Sequence, residues 1–427
     1  MPFEFPHTQS KKNIAVIGAG ISGMGAAHLL AKYHNVTLYE AENRIGGHAR
    51  TVMVGSNNDK PVDTGFIVFN YANYPRMAQL FKSLNVPVIK SDMSFGVSAQ
   101  SGNFEYALRT LNSLYGQRMN LIRLKYHKMI LDIIKFNKNA ENALEGPDMT
   151  LGDLLAKIGT GDWFRDYYIL PFSGAIWSAS LGQMLNFPAE ALIRFFKNHN
   201  LLAKSGHHQW YTVKGGSIEY VNLLEKDMIK RGVKIYTGST AKGVRRTPAG
   251  VEVRTFGNEW QKFDSIVMAC HSDQSLKMLE KPSDDELKLL SAIKYQKNQA
   301  FLHSDNVVMP KRKRCWSSWV YASDEIHNTN PVGVSYWMNR LQPIPGNQYF
   351  FQSLNPTREI KQELIHDQKT FMHPVFDREA LIAQKKFSTI QGKNNTWYCG
   401  AWLRNGFHED GYSSAVDILE NIGMVSA

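Results

Sequence analysis

Residues 13–23 read NIAVIGAGISG, and this stretch decides the fold. The apolar, β-branched run NIAVI predicts a buried strand. Gly18, Gly20 and Gly23 follow it in the order G-x-G-x-x-G. Residues 24–33 are rich in Ala and Leu and predict a helix. VTLYE (36–40) predicts a second strand ending at Glu40, about twenty residues beyond the first glycine, as a dinucleotide-binding βαβ unit requires. In that unit Gly18 makes the tight turn, Gly20 lets the backbone approach a pyrophosphate, and Gly23 lets helix and strand pack closely. The helix N-terminus, which carries Ser22, attracts the phosphates. Glu40 accepts the ribose hydroxyls, so its acidity favours an unphosphorylated ribose, as in FAD or NAD, over NADP.

The following segment, Glu40-Ala-Glu-Asn-Arg44-Ile-Gly46-Gly47-His48-Ala-Arg50-Thr51, adds a glycine pair for another close backbone approach and Arg44 as a phosphate clamp. Asp63-Thr64-Gly65-Phe66 stands before the apolar run FIVF, where an Asp-initiated turn is the simplest structural reading.

The rest of the composition narrows the class. The chain has 427 residues, 43% hydrophobic and 20% charged, which suits two or three packed domains and excludes a disordered or coiled-coil chain. Cys270, Cys315 and Cys399 offer no disulfide framework and no zinc or iron–sulfur spacing, so no metal is expected and a reducing compartment is. Met1 to Lys12 has no signal-peptide apolar core, and no run is long and apolar enough to span a bilayer. The net charge of +11 favours an anionic partner. No nucleic-acid module accompanies it, and no nucleic-acid partner is expected.

The spacing of Glu40, Arg44, Gly46 and Gly47 resembles the FAD-binding fold of the flavin amine oxidase superfamily. There, E-x-x-x-R-x-G-G-R follows the dinucleotide motif, and the arginine and glycine pair contact the FAD diphosphate. His48 stands where an arginine is common. The resemblance extends to Asp63 and Gly65 as a loop beside the cofactor. It includes Trp210 to Ser217, where the chain returns to the cofactor domain, and Ser239 as an adenine contact after VKIYT (233–237). At the other end, Gly400-Ala-Trp402-Leu-Arg-Asn-Gly-Phe-His408-Glu409-Asp410-Gly411, continuing to Ala415, resembles the segment that places a glycine and a helix N-terminus against the flavin. Gly400, Asp410, Gly411 and Ala415 are the implied contacts there, with a helix starting near Gly411; Asp410 reads equally as an N-cap. Residues 404–414 contain no cysteine, so noncovalent FAD is expected.

The resemblance implies an α/β chain: a Rossmann-like FAD-binding domain (1–74, 205–275 and 386–427) interleaved with an α+β substrate domain (75–204 and 276–385) bearing a helical subdomain. Amine oxidases of the superfamily carry a lysine near the flavin after a glycine; Lys297 lies near that place without the glycine spacing and is not assigned to it. RIGGHART (44–51), DTGFIVFN (63–70), PFSGAIWS (171–178), LHSD (302–305), SSWVY (317–321), YWMNRLQ (336–342), LNP (354–356) and GFHEDG (406–411) resemble a branch of NAD/FAD-binding proteins associated with cyclopropane-fatty-acid synthases. That association implies an unsaturated or modified fatty acyl substrate, oxidised, desaturated or isomerised by hydride transfer to flavin N5. The alternatives are an amine oxidase using O2, and a non-catalytic flavoprotein partner of a lipid-modifying enzyme.

His408 is the expected proton partner near neutral pH, and Glu409 is expected to hold it or to meet the cofactor. Trp177, His303, Trp319, Tyr321 and Trp402 are candidate pocket walls. Residues 116–138 mix Arg118, Arg123, Lys125, Lys128, Lys135 and Lys138 with apolar residues and a single acid, Asp132. This is either a basic amphipathic helix on anionic lipid or a domain helix with a hydrated basic face. The run Lys311-Arg-Lys-Arg314 is a hydrated turn or a phosphate-facing patch. The expected location is cytoplasmic, with peripheral contact at the inner membrane face.

Overall fold

The computed structural model describes residues 11–146, 148–202, 208–255, 259–324 and 332–421. The expected domain ends at 1–10, 205–207 and 422–427 lie outside these. A five-stranded parallel sheet has the order Thr396–Tyr398, Ser265–Met268, Asn13–Ile17, Asn35–Tyr39, Lys234–Tyr236. Its central strands are mostly apolar because both faces are covered, one by helices and the other by helices together with a small sheet. Helix Ile21–Leu30 packs on one side, against helices Ile218–Lys230 and His408–Asn421. A three-stranded antiparallel sheet, Gly243–Thr247, Gly250–Arg254 and Trp260–Phe263, flanks it.

The second layer is a seven-stranded mixed sheet in the order Ile365–Val375, Lys294–His303, Phe351–Leu354, Val334–Trp337, Trp319–Ser323, Phe95–Ala99, Phe104–Ala107. Helices Leu124–Asn139, Leu151–Ile158, Leu170–Trp177 and Ala189–Asn198 share its core through Phe104, Tyr126, Phe136, Phe164 and Phe196. The chain therefore passes repeatedly between the two layers.

The core redraws the expected boundaries. Met77, Leu80 and Phe81 of helix Pro75–Ser83 pack with Tyr220 and Val221 on the parallel-sheet side. Leu289, Leu290, Ala380 and Phe387 join Ile266 and Tyr398 beneath the same sheet. Residues near 75–86, 276–293 and 380–390 therefore bury their apolar faces with the nucleotide-binding layer. The 116–138 segment also differs from a single helix. Arg118–Leu121 is one 3-10 turn, and the α-helix begins at Leu124. Lys311–Arg314 is a turn in which Arg312 pairs with the fully buried Glu105 at 2.8 Å, a buried charge that needs a partner.

Candidate active site

The carboxyl ends of all five parallel strands open onto one cavity of about 2260 Å3. Gly18 follows the first strand, Glu40 the second, Ser239 the third, His271 the fourth and Gly400 the last. This is where open α/β sheets bind ligands, because strand ends and helix N-termini present unpaired backbone groups there. Ordinary ligand pockets occupy about 300–1,000 Å3, so this space suits a dinucleotide together with a second molecule.

The nucleotide end is built from backbone. Ala19 donates its N–H to Glu40 Oε2 at 2.7 Å and Glu42 donates to Oε1 at 2.8 Å. Each carboxylate oxygen retains a lone pair for a ribose hydroxyl. Helix Ile21–Leu30 starts at Gly20 without a side-chain cap, so its first amides are left for an anion. A Cβ built on Gly20 meets no atom within 4 Å, and Gly20 lines the cavity: the empty space is ligand space. A Cβ on Gly23 would lie 1.8 Å from the Gly18 carbonyl oxygen, so its absence serves helix–strand packing instead.

Arg44 donates to the carbonyls of Gly47 (2.8 Å) and Ala49 (3.3 Å) and pairs with Glu42 at 3.1 Å. It holds the glycine loop in shape while lining the cavity. Gly47 also lines it. A Cβ on Gly46 would sit 2.7 Å from the Ala49 carbonyl oxygen, so Gly46 is spent on the turn.

Farther along, His48, His271, His373 and His408 line one part of the wall, and His199 and His208 line the cavity as well. The His48 ring lies 5.0 Å from Phe371, 5.5 Å from His373 and 6.4 Å from His271, and its Nε2 has no hydrogen-bond partner. His271 stacks on Tyr295 at 4.4 Å. Desolvation, then repulsion among the rings, lowers His48 and His271 to about 4 and His373 to about 3. His408 stacks on Phe66 at 4.0 Å and meets the Tyr220 hydroxyl through Nε2 at 2.6 Å; desolvation lowers it to about 3. All four are neutral at pH 7.

Another part of the wall is mainly apolar: Ile133, Ile134, Tyr168, Phe172, Phe195 and Leu201 line it, with His199 stacked on Phe195 at 3.9 Å. Trp177 and Trp319 belong to this part, Trp177 against Phe187 and Phe195, and Trp319 edge-on to Tyr336 at 5.0 Å.

Several expected site residues have other work. Glu409 accepts the amides of Arg76 (3.0 Å) and Met77 (2.9 Å), closing the N-terminus of helix Pro75–Ser83. It neither holds His408 nor lines the cavity. His408 itself is held neutral at pH 7 by desolvation, with Tyr220 at its Nε2. The last helix begins at His408 rather than Gly411. Asp410 accepts the Phe407 amide at 2.9 Å. A Cβ on Gly411 would fall 2.8 Å from Ile21, and Ala415 packs into the same helix pair. These three residues serve helix packing and the loop before it.

Asp63 is buried behind the cavity among Thr51, Ser217 and Gln342, while Gly65, pressed against the His48 carbonyl, lines it. His303 is fully buried in the mixed sheet with Ser353 at 2.8 Å, and Tyr321 is buried nearby without reaching the cavity. Trp402 donates to the Cys270 carbonyl at 3.1 Å, packs on Phe387 beneath the parallel sheet and lines the cavity. Lys297 is exposed on its strand. Ser22, Ser239 and Gly400 line the cavity.

His271, His373 and Phe371 went unread. His271 carried a usable signal, since it stands just past a parallel strand. His373 and Phe371 carried none, because only pairing of strands Ile365–Val375 and Lys294–His303 brings them in.

A family model described as flavin containing amine oxidoreductase matches residues 21–367. The chain belongs to this family. Matches to curated proteins are short. Protoporphyrinogen oxidase 2, chloroplastic/mitochondrial, of Arabidopsis thaliana is 51% identical over 45 residues, 10% of this chain and 9% of that protein. An L-amino-acid oxidase of Notechis scutatus scutatus is 49% identical over 45 residues, again 10% and 9%. The chain thus aligns with under a tenth of the length of these relatives. Among solved structures, the CLA-producing fatty acid isomerase from P. acnes superposes with a TM-score of 0.67 at 15% identity, covering 97% of this chain and 99% of that one. Cyclohexylamine oxidase from Brevibacterium oxydans IH-35A gives 0.66 at 13%, covering 97% and 100%. At such identities the likeness is one of fold.

The cofactor of this family member is FAD. The residues present fit it: a ribose acid at Glu40, uncapped helix amides, and open space before Gly20. The described helices include none long and apolar enough to cross a membrane. Among the described residues no cluster is suited to a metal.

Proposed function

We propose that this protein is an FAD-dependent oxidoreductase acting on an unsaturated or modified fatty acyl chain, by desaturation, other oxidation or double-bond isomerisation. The observation that carries this reading is the mainly apolar arm of the cavity, where Ile133, Ile134, Phe172 and Phe195 outnumber the neutral polar groups Asn137 and His199, while Asp92, which also lines the cavity, is paired with Arg340. Such a lining binds a hydrocarbon chain by removing it from water, and it selects against a small charged amine, which would lose hydration without a compensating partner.

Bound FAD supplies the capacity to accept a hydride and to return it. The chain's own residues position and shield. Phe195 and Phe407, stacked at 5.2 Å, and Trp177 narrow the arm and exclude water. The neutral imidazoles of His48, His271 and His373 present hydrogen-bonding nitrogens without a charge, which suits a substrate that develops little net charge.

The test is anaerobic mixing of the yellow protein with extracted membrane lipids and, separately, with a panel of amines. Flavin bleaching or a change in lipid double bonds supports the acyl reading. Bleaching by an amine and by no lipid overturns it in favour of an amine oxidase. Copurification with a lipid-modifying enzyme, with no lipid chemistry, favours the non-catalytic partner.

A further inference from the structure

Residues 108–138 form a surface unlike the rest of the molecule. Leu111 is 78% exposed, Ile122 73%, Leu124 85% and Leu131 64%, with Met119 and Leu121 also exposed. Soluble monomers seldom expose so many large apolar side chains along one stretch. The surface is not a loose end. Tyr126 donates to the Leu114 carbonyl at 2.6 Å and His127 to the Leu121 carbonyl at 2.9 Å, so the loop is fastened to the helix that follows.

Helix Leu124–Asn139 divides into three faces. Tyr126, Met129, Asp132 and Phe136 face the core. Ile133, Ile134 and Asn137 line the cavity. Leu124 and Leu131 face outward with Lys128, Lys135 and Lys138 beside them. Ile134, 43% exposed, belongs to the outer face and to the cavity wall at once, and so does Leu108. The exposed apolar surface is continuous with the lining of the cavity.

The charge is one-sided. Among the described residues, none of Arg118, Arg123, Lys125, Lys128, Lys135 or Lys138 forms an ion pair, and the acid between them, Asp132, is turned inward onto the Gly161 amide. Apolar tips ringed by unpaired cations match an anionic phospholipid surface: the leucines enter the acyl boundary by about 5–10 Å while the lysines meet headgroups. A second copy of this chain would set cation against cation.

We infer that residues 108–138 dock the protein on an anionic bilayer with the cavity mouth, at Leu108 and Ile134, facing the membrane. This docking stands on the surface itself and does not require the acyl reading.

The test is co-sedimentation of the holoprotein with vesicles of phosphatidylcholine alone and of an equimolar phosphatidylcholine–phosphatidylglycerol mixture. Binding is expected to the anionic vesicles and to weaken with salt. Lys125→Ala/Lys128→Ala, at exposed positions, is expected to weaken it roughly thirty-fold. Leu121→Glu/Ile122→Glu/Leu124→Glu is expected to abolish it with flavin content and melting temperature retained. No binding, equal binding to both vesicles, or wild-type binding by the lysine pair overturns the inference. So does a dimer in analytical ultracentrifugation that the leucine variant dissociates. Vesicle binding without lipid chemistry leaves docking intact and counts against the acyl substrate; lipid chemistry without vesicle binding does the reverse.

Discussion

Asp63 and Gln342 exchange two hydrogen bonds: the Gln342 amide donates to Asp63 Oδ2 at 2.6 Å, and the Asp63 backbone N–H donates to Gln342 Oε1 at 2.8 Å. Ser217 adds its amide at 2.9 Å and its hydroxyl at 2.7 Å, and Thr51 its hydroxyl at 2.5 Å. One buried carboxylate thereby joins the hairpin after the glycine loops, the start of helix Ile218–Lys230, and the mixed-sheet layer. Asp63→Ala leaves these donors unsatisfied, and a loss of about 1–3 kcal/mol in urea unfolding is expected. A loss below about 0.5 kcal/mol would contradict the joining role.

The glycine loop makes a paired prediction. Gly20→Ala leaves the apoprotein's melting temperature within about 2 °C, because its Cβ points into open space, yet weakens FAD binding. Gly23→Ala sets a Cβ on the Gly18 carbonyl and lowers the yield of folded protein. Thermal melts of apo and FAD-loaded forms separate the two.

Glu40→Ala is expected to weaken FAD binding by about 10- to 100-fold, the loss of hydrogen bonds to a charged acceptor. Unchanged affinity in a folded variant would exclude Glu40 from the ribose site. Fluorescence quenching on titration with FAD measures it.

Glu409→Gln is expected to cost about 1 kcal/mol of stability, as loss of a helix cap does, and to leave the rate of flavin reduction unchanged. His408→Gln is expected to leave the pH–rate profile between pH 6 and 8 unaltered, since desolvation puts His408 near 3. Disappearance of a limb near pH 7 in that variant would restore a proton-shuttling role.

Acid sensitivity follows from the histidine wall. His48, His271, His373 and His408 have folded pKa values of about 3 to 4 against 6.5 unfolded, so the unfolded chain binds more protons between those limits. Their contribution is complete above pH 6.5 and is lost as pH falls toward 4. Desolvation raises Asp63 and Asp410 to about 6, which works in the opposite direction between about pH 4 and 6. Four histidines outweigh two acids. The apoprotein's melting temperature is therefore expected to rise from pH 4.5 to 6.5, and a flat or falling profile would refute the enclosure of these rings.

The first βαβ unit was legible because its requirements are local. A turn after a strand needs glycine at particular positions, and the acid that meets the ribose stands at the end of the next strand. Glu40, Gly18, Gly20 and Gly47 could be placed from their neighbours alone. Glu409, Asp410, Gly411 and Ala415 could not. Their residue types suit a cofactor contact, a cap or a helix crossing equally, and which face of helix His408–Asn421 meets helix Ile21–Leu30 is settled by packing.

The sequence by itself determined a dinucleotide fold, since backbone geometry over some forty residues admits few substitutes, and its family resemblance implied FAD. Only the tertiary structure decided that His48, His271 and His373, far apart in the chain, share one wall. It also decided that Asp63 is buried as a joint among Thr51, Ser217 and Gln342, and that the basic segment's leucines face outward. Burial and long-range strand pairing set each of these outcomes, and neither is a property of any one segment.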